Sequence, residues 1–129
     1  MKKAFSLIEL LVVIAIIGIM LAIGTISYLT AQKQVRDSRR KSDLMEIRQA
    51  LETYRSENGV YPNADGANQP TGIVPNYITT LPTDPKTGTY FYSPNVPNHT
   101  YALCATLEIV PATPVTGCTT GNNYKVVNP

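Results

Sequence analysis

Residues 5–29 read FSLIELLVVIAIIGIMLAIGTISYL, and Glu9 is the one charge in that run. A helix of about 20 apolar residues spans the hydrocarbon core of a bilayer, so this stretch is long enough to cross one. Met1-Lys2-Lys3-Ala4 stands before it, short and positive. Lysines ahead of the span and the bulk of the chain behind it predict a cytoplasmic N-terminus. The basic residues Lys33, Arg36, Arg39, Arg40 and Lys41 just past the span pull against that orientation. A cleaved secretory signal fits less well. Leu29-Thr30-Ala31 is a poor small-x-small cleavage site, the apolar run is long for such a peptide, and a carboxylate sits inside it.

Glu9 is the most informative residue of the run. A charge at the bilayer centre costs on the order of 2.5–3.5 kcal/mol on insertion scales. A simple anchor gains nothing from it. A carboxylate there suggests a partner, although one near the membrane edge can also reach the headgroups. If the chain is cut between Ala4 and Phe5, a new α-ammonium appears at Phe5, about one helical turn from Glu9. In a staggered helix bundle the ammonium of an incoming copy can meet Glu9 of a copy already in place. Pairing two charges that both sit in lipid relieves each of them and favours one axial register.

The stretch from Lys2-Lys3-Ala4-Phe5-Ser6-Leu7-Ile8-Glu9 through Leu10 to Gly18 closely resembles the N-terminal signature of type IV prepilins and type II secretion pseudopilins. The resemblance implies that a prepilin peptidase cuts between Ala4 and Phe5 and N-methylates Phe5. It also implies that Glu9 is the family's assembly glutamate. Two positions depart from the pattern. Ala4 stands where Gly is usual, and Ile26 stands about where the family often carries Pro. Gly18 and Gly24 can still weaken the helix locally, at roughly 1 kcal/mol each relative to Ala.

Beyond Leu29 no breaker occurs before Asn58-Gly59, which reads as a helix stop with Gly free to take a left-handed cap. Leu44, Ile47, Leu51 and Tyr54 recur at three- and four-residue steps, an apolar stripe on one helix face. A helix of about 50 residues, roughly 80 Å long, is expected. All ten Pro follow residue 58, so the rest is rich in loops. Candidate strands are Tyr90-Phe91-Tyr92, Tyr101 to Leu107 and Tyr124 to Val127. A three-stranded antiparallel sheet over the stripe buries both. The fold class is therefore α+β: a long N-terminal helix, transmembrane in its first half, packed on a small C-terminal antiparallel sheet, as in pilins. The expected layout is a leader over 1–4, a membrane and polymerisation half-helix over 5–29, an amphipathic half-helix over 30–58 and a β-rich domain over 59–129. The tract Leu81-Pro82-Thr83-Asp84-Pro85-Lys86-Thr87-Gly88-Thr89-Tyr90, with Tyr54-Arg55 and Gly59-Val60-Tyr61-Pro62, is similar to major pseudopilins.

Cys104 and Cys118 lie in the part that would be exported, where a disulfide is the natural reading. Two buried free thiols are the alternative, and spacing alone does not decide between them. The net charge of +2 comes from Lys2 and Lys3, leaving nine basic and nine acidic residues (11 − 2 = 9). From Lys33 to Arg48 stand six basic and three acidic residues, read as a solvated helix face that can touch anionic headgroups or acidic surfaces of neighbouring copies. No aromatic platform interleaves them, so nucleic acid is not expected as a direct ligand. His99 is the one histidine, read as a surface residue in a turn. No catalytic set stands out, no zinc spacing occurs, and Glu108 is the only acid after Asp84. Neither an enzyme, a cofactor nor a metal is expected. Asp84 before Pro85 reads as turn chemistry. The eight tyrosines are explained by sheet packing, with adhesion open to exposed ones.

The resemblance implies the major pilin of a type IV pilus-like extracellular filament, a homopolymer. Its partners would be a prepilin peptidase and a membrane assembly platform, with a stay in the inner membrane before assembly. A type II secretion pseudopilin or a competence pilus subunit is the alternative.

Overall fold

In the computed structural model a long helix, α1, starts just after Ser6 and stops just before Gly59, spanning Leu7–Asn58. The structure describes residues 5–86, 88–95, 99–109, 115–118 and 121–128, without the side chains of 25 and 26. Ala4, the residue before the expected cut, lies outside the described residues. The helix runs through Gly18 and Gly24, because no proline interrupts the i to i−4 ladder before residue 62. It ends where the sequence signals an end. Gly59 takes φ +79°, its N–H donates to Arg55 O at 2.8 Å, and the Asn58 amide donates to Tyr54 O at 2.9 Å. A left-handed residue satisfies the last carbonyls in this way at little strain only when it is glycine.

The chain divides into two compact units, Met1–Gln34 and Val35–Pro129. In the first, the helix is long and apolar enough to cross a membrane, and none of that stretch is buried. In the second, the apolar stripe of α1 meets three strands, β1 (Phe91–Asn95), β2 (Thr100–Ala105) and β3 (Tyr124–Val127). They form one antiparallel sheet in the order β1-β2-β3, with Tyr92 opposite Leu103 and Leu103 opposite Val126. The α+β arrangement expected from the sequence is the one observed.

Leu44, Ile47 and Leu51 from the helix join Tyr92, Tyr101, Leu103 and Val126 from the sheet in one core. Tyr61, Ile73 and Ile78 from the long loop complete it. The buried tyrosines keep their hydroxyls satisfied. Tyr90 donates to Asp43 at 2.6 Å, Tyr92 to Pro62 O at 2.8 Å and Tyr101 to Glu52 at 3.1 Å. Burial pushes all three phenols well above the ordinary tyrosine value. Loop 63–71 folds back on itself through the Ala64–Pro70 bridge and covers the outer edge of β1, where Tyr92 N–H donates to Asn68 O at 2.9 Å. Asn123 extends the β2–β3 pairing with its side chain, accepting from Leu107 N–H at 2.6 Å and donating to Leu107 O at 2.8 Å.

One part of the sequence reading is corrected. The Lys33–Arg48 stretch is not simply a solvated face, because Arg40 is 1% exposed and Asp37 and Asp43 are buried. The Arg40 guanidinium grips Asp84 with two bonds, 2.6 Å from Nε and 3.1 Å from Nη2. Its Nη1 donates to Asp37 at 2.7 Å and to Glu108 at 3.0 Å. Arg36 holds Glu108 with two more bonds of 2.7 and 2.8 Å, and Asp37 accepts the N–H groups of Glu108 and Ile109. Asp84 also accepts Lys86 N–H at 2.8 Å, so the turn chemistry read from the sequence is present beside the ion pair. Arg36 and then Arg40, working against partial burial, hold the Glu108 carboxyl at a pKa of about 2.

Cys104 and Cys118 form a disulfide with Cα atoms 5.9 Å apart, tying the end of β2 to the segment before β3. Closing a loop of this size contributes roughly 3 kcal/mol in the chain-entropy model. Cys118→Ser is therefore expected to lower the unfolding free energy by about that amount. Urea unfolding of the detergent-solubilised chain reads it, and an unchanged midpoint would count against it. Arg40→Met leaves Asp84 and Asp37 buried without their cation and is expected to cost about 3–5 kcal/mol in the same assay. Because Glu108 is depressed from 4.5 to about 2, its contribution is complete above pH 4.5 and is lost as pH falls through 2. A Glu108→Gln chain should show a flatter stability profile across that window than the parent. Parallel profiles would refute the assignment.

Candidate functional site

The start of α1 carries a chemical feature that the apolar run around it does not hide. Ser6 precedes the first helical residue, and Glu9 lies in the first turn. Ser6 N–H donates to Glu9 Oε2 at 2.9 Å, while Glu9 N–H and Leu10 N–H approach Ser6 O at 3.1 and 3.3 Å. Ser6-Leu7-Ile8-Glu9 is thus one half of a capping box, in which the third helical residue reaches back to an orphan N–H. Water is absent from a membrane core, so an orphan N–H there must be satisfied by the chain itself. The carboxylate at the helix N-terminus also meets the positive end of the helix dipole. Ser-x-x-Glu ahead of an apolar run is a signal legible in the sequence, beyond the charge of Glu9.

Glu9 Oε1 has no partner among the described residues. Phe5, Ile8, Val12 and Val13 line a shallow apolar groove around the carboxylate. Phe5 is 83% exposed, and the apolar side chains of the following turns are exposed as well. The site is therefore an apolar helical surface with one carboxylate oxygen available at its head.

The other residues singled out in the sequence lie elsewhere. Cys104 and Cys118 meet each other in the second unit, whereas Phe5 and Glu9 belong to the first. His99 is exposed, with a left-handed φ of 50°. Among the described residues no group of three or more His, Cys, Asp and Glu side chains is placed to hold a metal ion. The three carboxylates Asp37, Asp84 and Glu108 converge instead on the guanidinium of Arg40. That cluster had no sequence signal, since Arg40 is 44 residues from Asp84 and 68 from Glu108.

Comparison with known proteins bears on the same N-terminal turn. Residues 1–25 match the prokaryotic N-terminal methylation motif. The chain is similar to the type II secretion system core protein G of Vibrio cholerae, at 29% identity over 102 residues that cover 70% of each chain. It is similar also to the core protein G of Pseudomonas aeruginosa, at 29% over 103 residues covering 70% of this chain and 72% of the relative. No solved structure gives a significant match.

Glu9 therefore has two separable properties, a cap for its own helix and a negative charge with one oxygen left open. Glu9→Gln keeps an acceptor for Ser6 N–H and removes the charge. Glu9→Ala removes both, at about 1 kcal/mol for the lost cap. Both variants are expected to enter the membrane and to fold in the second unit, yet to give few or no filaments when they are the sole subunit. Normal filament number and length from Glu9→Gln, with the membrane pool measured alongside, would overturn the role of the charge.

Proposed function

We propose that this chain, which belongs to the type IV pilin and pseudopilin family, is a structural subunit that polymerises through residues 5–29 into a helical filament. The observation that carries this reading is the head of α1: an apolar helix exposed along its first turns, with Glu9 held by one oxygen and open at the other. Exposed side chains such as Leu7, Leu10 and Ile14 must be covered by lipid or by copies of the same helix. The apolar N-terminal helix supports membrane anchoring before assembly, with lipid as the first cover. In the filament the second cover replaces it.

A prepilin peptidase would cut between Ala4 and Phe5 and methylate the new amine. The ammonium of Phe5 on an incoming copy would then meet Glu9 Oε1 of a copy already assembled. Apolar packing is strong but nearly indifferent to axial position, whereas two charges in a medium that cannot solvate them select one position sharply. An assembly platform in the membrane would deliver the copies.

The similarity to core protein G favours a pseudopilus of a type II secretion system. A type IV pilus outside the cell is the second reading, favoured by the disulfide-closed loop near the C-terminus, which suits an oxidising exterior.

Mass spectrometry of purified filaments is expected to show a subunit that lacks residues 1–4 and gains one methyl group on Phe5. An intact Met1, or a chain starting near Gln32, would refute the processing step. Deleting the gene separates the two settings: loss of secreted enzymes with no change in surface filaments marks the pseudopilus, and loss of surface filaments marks the pilus.

A further inference from the structure

The second unit is formally neutral, with eight basic and eight acidic residues from 35 onward, but its charges are sorted. Asp37, Asp43 and Asp84 are buried, and among the described residues the only basic one buried with them is Arg40. At the start of the unit, Arg39 and Lys41 are exposed, and Arg36 is partly so. Lys86, whose Nζ lies 3.7 Å from Glu108, is exposed beside them. Within this unit the first exposed carboxylate on the helix is Glu46. Arg39 has no ionic partner among the described residues. Lys41 Nζ stands 5.5 Å from the centroid of the Tyr124 ring and has no carboxylate partner among the described residues. Carboxylates are thus turned inward and cations outward at one end of the unit.

We propose that this cationic end binds the anionic phospholipid headgroups of the membrane in which the chain is anchored before assembly. The inference rests on the membrane-anchored state described above and adds a second point of attachment to it. Arg36 to Lys41 follow Leu29 by seven to twelve residues, about 10–18 Å of helix. Long basic side chains and a surface potential reaching about 8 Å at physiological salt bridge that interval. Tyr28, 64% exposed at the end of the apolar run, is the kind of aromatic that settles at a membrane interface. The occupant follows from charge. Copies of this chain carry the same cationic residues, so a neighbour offers like charge to this end. The opposite charge offered close to a membrane span is the anionic lipid headgroup. The positive charge past the span, which weighs against the sequence-based orientation, then has a use on the far leaflet.

Each cation near an anionic surface contributes about fivefold to association, and salt screens it. The test is NMR of the full chain in bicelles that carry a gadolinium-chelated headgroup, with phosphatidylcholine alone or with added phosphatidylglycerol. Amides of residues 36–41 and 84–86 should broaden several-fold more in the anionic bicelles, and the excess should vanish in high salt. The Arg39→Glu/Lys41→Glu chain should lose it, with the amide shifts of β1, β2 and β3 unchanged. Equal broadening in both lipids, or an excess that survives the charge reversal, overturns the proposal. A lipid-tail relaxation agent read at residues 10–24 reports anchoring separately. Failure there counts against the membrane-anchored reading, whereas failure confined to residues 36–41 counts against the headgroup contact alone. If the charge-reversed chain keeps the lipid effect but no longer forms filaments, the cations serve subunit contacts instead, and the headgroup assignment falls.

Discussion

A guanidinium taken out of water must be answered on every side, and Arg40 sets that demand for the second unit. Its partners come from three places in the chain: Asp37 one turn back on the helix, Asp84 in the turn before β1, and Glu108 just past β2. The ion pairs are short and the one to Asp84 is two-pronged, so they fix direction as well as distance. Apolar contacts between a helix stripe and a sheet tolerate sliding. A buried charge with fixed partners does not, because a displaced guanidinium would leave carboxylates unpaired in the interior. The helix therefore meets the loops and sheet in one register. Arg36 and the backbone of Glu108 and Ile109 close the same network from its rim.

The same logic, a charge that must find its partner, operates in the two units with opposite outcomes. In the second it is settled within the chain. In the first, the Glu9 carboxylate is only half answered by Ser6. The apolar stretch of the first unit buries none of its described residues, so its stability comes from its surroundings. One α-helix thus carries a segment whose contacts are complete and a segment whose contacts await lipid or other copies. The filament reading depends on that difference, since a subunit must fold independently and still have something unfinished to assemble with.

Much of this was legible in the sequence, for reasons that are local. The stop at Gly59, the stripe of Leu44, Ile47 and Leu51, and the strands around Tyr92, Leu103 and Val126 each follow from residues near one another in the chain. The buried ion cluster was not legible. Arg40 stands among charges that look solvated, and nothing near it in sequence names Asp84 or Glu108. Ile73 and Ile78 enter the core from a Pro- and Gly-rich tract without periodicity, so no pattern marks them as interior. Ser6 is a different case. Its capping pattern with Glu9 is local and legible, a weak signal inside the strong one of the apolar run.

The loop over the edge of β1 has a bearing on crowding. Strand edges carry unpaired N–H and C=O groups that welcome another strand, and the hazard rises with the local concentration of identical chains. A helical polymer places its subunits side by side in large number. Asn68 O already occupies the N–H of Tyr92, the Gln69 amide occupies the carbonyl of Tyr90, and Pro94 has no N–H to offer. That border of the sheet is closed to templating, so growth by helix packing need not compete there with growth by strand addition. In a filament of such subunits, the loop over β1 would hold strand addition off at that edge.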